Sequence, residues 1–134
     1  LSPMNTERLE GVVARRVSAA AAALAGGRAA AIYSSAPESE RRQPALAIEQ
    51  VFAGIAHRMV TEHGVRRLVV AGGETSGAVV NALAIPAVEI AAILDPGVPA
   101  LRSLGDPPLA LALKSGNFGA GDFFAKAIHH LERA

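Results

Sequence analysis

The sequence predicts an α/β fold: a mainly parallel sheet with helices on both faces, in three layers. Short apolar runs alternate along the chain with segments whose apolar residues recur at helical spacing. Hydrophobic residues make up 51% of the chain and aromatic residues only 4%, so the core must be built from Ala, Val, Leu and Ile. The length of 134 residues fits one domain, which we expect to span residues 1–134.

Apolar residues at helical spacing predict four helices. The first has an apolar face from Leu9 to Leu24 and stops at Gly26 and Gly27. The other three are expected over residues 45–62, 75–84 and 122–131. The core-facing residues of the last helix are predicted to be Phe124, Ala127, Ile128 and Leu131.

Four strands are predicted between and beside these helices. They cover residues 28–34, 68–71, 87–94 and 109–113. The segment between the last two, from Asp95 to Pro108, contains four prolines. A loop of this length is often functional, and its prolines would equally suit a stiff crossover, so both interpretations stay open.

Composition excludes several classes of protein. A net charge of +1 without a basic stripe argues against a nucleic-acid partner, and the absence of Cys rules out disulfides and thiolate chemistry. No apolar run approaches the roughly 20 residues that span a bilayer. We therefore expect a soluble, cytoplasmic protein with no membrane partner. Its first residue, Leu1, favours a piece of a longer protein.

A glycine-rich segment follows the predicted strand at residues 68–71 and precedes a helix. Unpaired N–H groups of a first helical turn form an anion site, and glycines let the backbone approach a phosphate closely. The segment fits neither the Walker A nor the dinucleotide pattern, so a plain turn capped by Thr75 or Ser76 is the alternative. Its candidate phosphate-binding residues are Gly72, Gly73, Glu74, Thr75, Ser76 and Gly77, with the two hydroxyls also suited to Mg²⁺.

A second glycine-rich segment follows the predicted strand at residues 109–113. Its lysine, Lys114, is one of two in a chain with eleven arginines, and a lysine here suits β- and γ-phosphate charge. Ligands of such sheets bind beyond the carboxyl ends of the strands, where both segments are expected to lie. A left-handed turn at Asn117 and Gly119 is the alternative. The candidate binding residues are Lys114, Ser115, Gly116, Asn117 and Gly119.

Other polar residues are weaker candidates. Glu89 suits an exposed edge position better than a buried site, and Asp95 suits either Mg²⁺ or a turn before Pro96. Asp122 is expected to cap or complement the last helix. The four histidines of the chain show no ligand spacing and are expected to be surface or interface residues: His57, His63, His129 and His130.

With these motifs in this order, the chain resembles the four-carbon acid sugar kinases, specifically their C-terminal nucleotide-binding domain. The resemblance rests on three motifs, residues 69–77, 96–99 and 111–119. It ends in residues 122–124, and a looser likeness extends to residues 32–35. Three motifs in the expected order are far more specific than one glycine-rich loop.

The resemblance implies ATP-dependent phosphorylation of an erythronate, threonate or 3-dehydrotetronate, with ATP and Mg²⁺ as cofactors. It implies that residues 73–77 and 114–119 contact the nucleotide and that Lys114 stabilises phosphate charge. The small-molecule substrate would be held by an N-terminal sugar-acid-binding domain of the same polypeptide, which is missing here. The general base is expected to lie outside this chain, so the chain alone should be inactive. A homodimer is a candidate assembly.

Two alternatives use the same residues. A sugar-phosphate-binding or isomerase-type domain could use both glycine loops as anion sites without ATP. An interaction module could use the glycines only as turns, with the last helix contacting a partner.

Overall fold

The computed structural model of the chain describes residues 3–34, 45–116 and 121–133. The chain divides into two compact units, Leu1–Gly64 and Val65–Ala134, called here the helical unit and the sheet unit. That residues 1–134 act as one domain stays a prediction.

The helical unit consists of two helices in mutual contact, α1 (Pro3–Ala25) and α2 (Ala45–Thr61). They come close at Gly54, where a Cβ atom would lie 3.3 Å from a methyl carbon of Val13. Buried apolar residues lie on both helices, at the spacing that the sequence predicts: Val13, Val17 and Ala20 on α1, and Ile55, Ala56 and Met59 on α2.

The predicted stop of the first helix is confirmed, and its hydrogen bonds explain it. Gly27 has a φ of 73°, its N–H donates to the Leu24 carbonyl at 2.9 Å, and the Arg28 N–H donates to the Ala23 carbonyl at 3.0 Å. This pair of bonds is the Schellman motif, which places a glycine in the left-handed conformation after the helix.

The strand predicted over residues 28–34 is wrong, because that segment is irregular throughout. Tyr33 is 78% exposed, so the aromatic residue that suggested a buried strand faces solvent. Strand propensity acts through pairing with neighbouring strands, and none of the described strands pairs with this segment.

The sheet unit contains four strands and two helices. In chain order these are β1 (Arg67–Ala71), α3 (Gly73–Ala82), β2 (Val88–Asp95), β3 (Val98–Ser103), β4 (Ala110–Lys114) and α4 (Phe123–Leu131). The strands are hydrogen-bonded in the order β1-β4-β3-β2. In the described part of the chain, every helix lacks the combination of length and apolar character needed to cross a membrane.

The sheet is mixed, so the α/β class is confirmed but the mainly parallel sheet is wrong. β1 and β4 pair in parallel, whereas β3 is antiparallel to both β2 and β4. The reversal comes from β3, which sequence analysis missed by treating Asp95 to Pro108 as a loop or crossover.

Two prolines, Pro96 and Pro99, argued against a strand at β3, and the structure accommodates each of them. Pro96 and Gly97 connect β2 to β3, with Gly97 at a φ of 78°, as the second central residue of a type II turn requires. Pro99 is opposite Ile93 of β2, between two register shifts, and pairing with β4 starts one residue later at Ala100. Pro99 therefore lies at a strand end, where its missing N–H interrupts no regular ladder.

One face of the sheet packs against α4. Its side chains Phe123, Ala127 and Leu131 recur every four residues and are at most 1% exposed, while Phe124 is 51% exposed. The prediction of Phe124 as a core residue was therefore wrong by one position. These three residues form the core of the sheet unit with Leu94, Val98, Ala100 and Ala112.

Leu111 lies on the opposite sheet face from Ala112, because side chains alternate along a strand, and it is fully buried. Replacing Leu111 by Ala should lower the free energy of unfolding by about 2–5 kcal/mol, because it removes buried atoms and leaves a cavity. Denaturant unfolding followed by circular dichroism measures this. The control is Leu104→Ala at a 50% exposed leucine of the same unit, and equal losses in both variants would contradict the assignment.

Candidate functional site

The two glycine-rich segments leave the sheet side by side. β1 and β4 are parallel, and their last residues, Ala71 and Lys114, are partners in register. The Gly72 N–H then donates to the Lys114 carbonyl at 2.8 Å, one residue beyond the end of β1. The expected placement of both segments at one edge of the sheet is therefore confirmed.

The helix after β1 begins without a side-chain cap. Gly72 is the N-cap residue, and the structure gives it no side-chain cap hydrogen bond within the described part of the chain. The alternative in which Thr75 or Ser76 caps the helix is therefore wrong, because both lie inside its first turn. The N–H groups of Gly73 to Thr75 have no acceptor within the helix and are available to an anion.

Gly72 and Gly73 differ in what the fold demands of them. Gly72 has a φ of 108°, and a Cβ atom there would lie 3.3 Å from the Thr75 hydroxyl oxygen, so the backbone needs glycine. A Cβ atom on Gly73 would meet no heavy atom of the described residues within 4 Å, and the same holds for Gly116. Among the described residues, no packing contact requires glycine at these two positions, which follow the ends of β1 and β4.

The two hydroxyls of the first segment have different surroundings. Ser76 is buried, with 8% of its surface exposed, and its hydroxyl has no hydrogen-bond partner among the described residues. Thr75 is half-buried, and Glu74 before it is exposed in the first turn of α3. Of the two predicted hydroxyl ligands, Thr75 is the more accessible.

Lys114 lies half-buried at the end of β4, on the α4 face of the sheet. Its ammonium donates to the Ser115 carbonyl at 3.1 Å and lies 5.8 Å from the centre of the Phe123 ring. At this distance the ring face attracts the cation. Two residues predicted for this segment, Asn117 and Gly119, lie outside the described residues.

An ion pair lies at the same edge of the sheet. β2 runs in the same direction as β1 and β4, so its last residue, Asp95, is at their carboxyl end, about 10 Å from β4 across β3. Asp95 is 8% exposed and accepts a hydrogen bond from the Lys126 ammonium of α4. That bond raises the pKa of Lys126, and the charges of Asp95 and Asp122 act in the same direction.

Sequence analysis missed this pairing. It gave Asp95 either Mg²⁺ or a turn as its role and gave Lys126 none. The rarity of lysine was the one signal in the sequence that could have drawn attention to Lys126, because it is the second of only two lysines. Pairing between Asp95 and Lys126 depends on how α4 lies on the sheet, which the sequence did not predict.

The remaining predicted residues are distributed over both units. Glu89 is exposed on β2, an edge strand, opposite Arg102 of β3, which confirms the edge position. Asp122 is the N-cap residue of α4 but makes no side-chain cap hydrogen bond within the described residues. Across residues 3–34, 45–116 and 121–133, no three or more His, Cys, Asp or Glu are grouped to hold a metal ion.

The chain is similar to several known proteins. Residues 3–124 match the family described as the nucleotide-binding C-terminal domain. A 3-oxo-tetronate kinase of Pseudomonas savastanoi is 69% identical over 71 residues, which are 53% of this chain and 17% of that protein. The 3-oxo-tetronate kinase of Methylobacterium radiotolerans is 44% identical over 96% of this chain and 32% of its own length.

The chain thus spans less than a third of the length of either relative.

A crystal structure of a Bordetella bronchiseptica domain of unknown function, a domain-swapped dimer with bound citrate, is also similar. Its TM-score is 0.62 at 26% identity, over 68% of this chain and 23% of that one. The resemblance seen in the sequence is confirmed, and the chain belongs to the family of nucleotide-binding C-terminal domains.

Proposed function

We propose that the sheet unit binds the phosphates of Mg·ATP between its two glycine-rich segments, as the nucleotide-binding part of a sugar acid kinase. The observation that carries this proposal is the parallel pairing of β1 with β4, which brings Gly72 and Lys114 into hydrogen-bond contact. In the described part of the chain, the carboxyl ends of these two strands then bring together the first N–H groups of α3, two glycines whose Cβ atoms would meet no neighbour, and the Lys114 ammonium.

Each of these groups suits a triphosphate. The first turn of α3 offers N–H donors and positive partial charge to phosphate oxygens. Gly73 and Gly116 leave room for phosphate against the backbone, and Lys114 adds a full positive charge. We assign nucleotide contact to Gly72 through Gly77 and to Lys114, Ser115, Gly116, Asn117 and Gly119.

Mg²⁺ would arrive with the nucleotide, since this ion keeps several waters and takes few protein ligands in ATP sites. In the first glycine-rich segment, Glu74, which is exposed, and Thr75, which is half-buried, carry side-chain oxygen donors. Both residue types suit Mg²⁺. When bound, the ion neutralises charge on the β- and γ-phosphates.

The names of the relatives support a four-carbon sugar acid of the 3-oxo-tetronate type as the substrate. In the proposed reaction, a substrate hydroxyl oxygen bonds to the γ-phosphorus, the bond to the β–γ bridging oxygen breaks, and ADP leaves. Lys114 and the N–H groups stabilise the charge on the transferred group. The hydroxyl proton passes to a base outside this chain.

We propose that the sugar acid is held by an N-terminal domain of the same polypeptide, because the chain spans less than a third of its relatives. On its own the chain should bind nucleotide and transfer no phosphate. The domain-swapped dimer of the Bordetella protein supports a homodimer as the assembly. The use of ATP favours the cytoplasm as its location.

We also propose the three-layer arrangement of helices for the sheet. The buried Leu111 supports it, because this residue lies on the face opposite α4 and requires a covering layer of its own.

Substituting Gly73 by Ala should abolish measurable Mg·ATP binding while leaving the fold intact. The added methyl group meets no described atom of the protein within 4 Å but enters the space proposed for phosphate. Calorimetric titration of the 134-residue chain with Mg·ATP measures binding, and thermal unfolding measures stability. Unchanged affinity in this variant would remove the first segment from the site.

The matched control is Gly105→Ala, where an added Cβ atom also meets no described atom within 4 Å but lies between β3 and β4, outside the proposed site. Gly72→Ala tests the backbone requirement instead. Here the left-handed φ of 108° should cost about 1–2 kcal/mol of stability, because alanine carries a Cβ atom.

Small sugar phosphates titrated in parallel test the alternative function. If they bind and ATP does not, the domain recognises sugar phosphates rather than nucleotides.

In the longer polypeptide, Lys114→Met should lower kcat by about a hundredfold or more, because the transferred phosphoryl group loses a cation. A coupled assay of ADP release with 3-oxo-tetronate measures the rate. Methionine retains much of the apolar stem, so folding should persist. A wild-type rate in this variant would exclude Lys114 from the reaction.

A further inference from the structure

We propose that the Asp95–Lys126 ion pair positions Lys114 for phosphate binding, acting through α4 and the Phe123 ring. Asp95 and Lys126 are positioning residues in this proposal, since neither is assigned a contact with substrate. The proposal rests on the proposed function, because it takes Lys114 as the phosphate-binding cation.

The first step is the contact between α4 and β2, the strand farthest from β1 in the sheet. The pair joins residues 31 apart in the sequence, the last residue of β2 and the fourth residue of α4. The Asp95 carboxylate is largely buried, with 9% of its side chain exposed, so leaving it without a cation would be unfavourable. The pair therefore favours one position of α4 along β2.

The second step is the transmission of that position along α4. Leu94 and Ala127, the sequence neighbours of the paired residues, belong to the same buried core as Phe123. Phe123 lies three residues before Lys126, about one helical turn, and is 1% exposed. Because this core is closely packed, a shift of α4 at Lys126 must also move Phe123.

The third step is the contact between Phe123 and Lys114. The Lys114 ammonium lies 5.8 Å from the centre of the Phe123 ring and also donates to the Ser115 carbonyl. The ring face favours a cation above it and so limits where the ammonium lies. A series of contacts thus leads from Asp95 at β2 to the end of β4.

The chain's two lysines allow a direct test. With isotope-labelled lysine, the side-chain spectrum contains only the signals of Lys114 and Lys126, and Lys126→Arg assigns them. Lys114 should show a ring-current shift from Phe123, and Lys126 should titrate above the usual lysine range because its pKa is raised. Mg·ATP affinity is measured calorimetrically on the same proteins.

The variants are Asp95→Asn and Lys126→Met, which break the pair, and Lys126→Arg, which keeps the charge. Arg58→Gln is the control, because it breaks an exposed ion pair between Arg58 of α2 and Glu62, which follows that helix in the helical unit. We expect either pair-breaking variant to shift the Lys114 signal and to weaken Mg·ATP binding about fivefold. Lys126→Arg should retain most of the affinity, and Arg58→Gln should change neither readout.

A purely structural ion pair would give a different result. Asp95→Asn and Lys126→Met would then lower the melting temperature while the Lys114 signal and the affinity of the folded protein stayed unchanged, which would overturn the proposal. If one variant does not fold, the other decides. If the wild-type chain binds no Mg·ATP, the proposed function fails, while an unmoved Lys114 signal would independently refute the positioning link.

Discussion

Five residue pairs in parallel register join β1 to β4, and the hydrogen bond from Gly72 to Lys114 continues the pairing past the strand ends. Without this register, the two glycine-rich segments would leave the sheet at different heights. An antiparallel pairing would place them at opposite edges, and the N–H groups of α3 would share no space with Lys114. The site therefore depends on backbone pairing before it depends on any side chain.

Side-chain contacts with α4 add to this backbone pairing at the carboxyl ends of the strands. Lys114 extends toward α4 and meets the Phe123 ring, while Lys126 of the same helix meets Asp95 at the end of β2. Helix α4 thus makes two contacts at the carboxyl ends of the strands, through Phe123 and Lys126, which are about one turn apart. Electrostatic stabilisation of a phosphoryl group needs such preorganised charges, because a cation that must first reorient loses part of its advantage.

The sequence predicted all four described helices and three of the four described strands, because apolar spacing and terminal glycines act locally. It failed where the outcome depended on distant partners. Residues 28–34 have strand-like composition but are irregular, and β3 forms despite Pro99 because the proline falls between register shifts. Similarly, Phe123 rather than Phe124 is buried, a difference of one helical position that only packing decides.

For the site, residue types and loop positions were predictable and their individual environments were not. The two glycine-rich segments were expected at one edge and lie there, since parallel strands share a carboxyl end. The burial of Ser76, the capping role of Gly72 and the partner of Asp95 follow from the helix start and from α4. Such features depend on three-dimensional placement rather than on sequence spacing.

The scarcity of lysine has a practical consequence for work with this protein. Both side-chain amines, on Lys114 and Lys126, lie in the sheet unit close to its carboxyl edge. Dyes or surfaces coupled through amines would therefore attach there or at the amino terminus of the chain, and coupling intended to be random would crowd the two glycine-rich segments. Arginine-directed or terminal tags would leave that edge accessible.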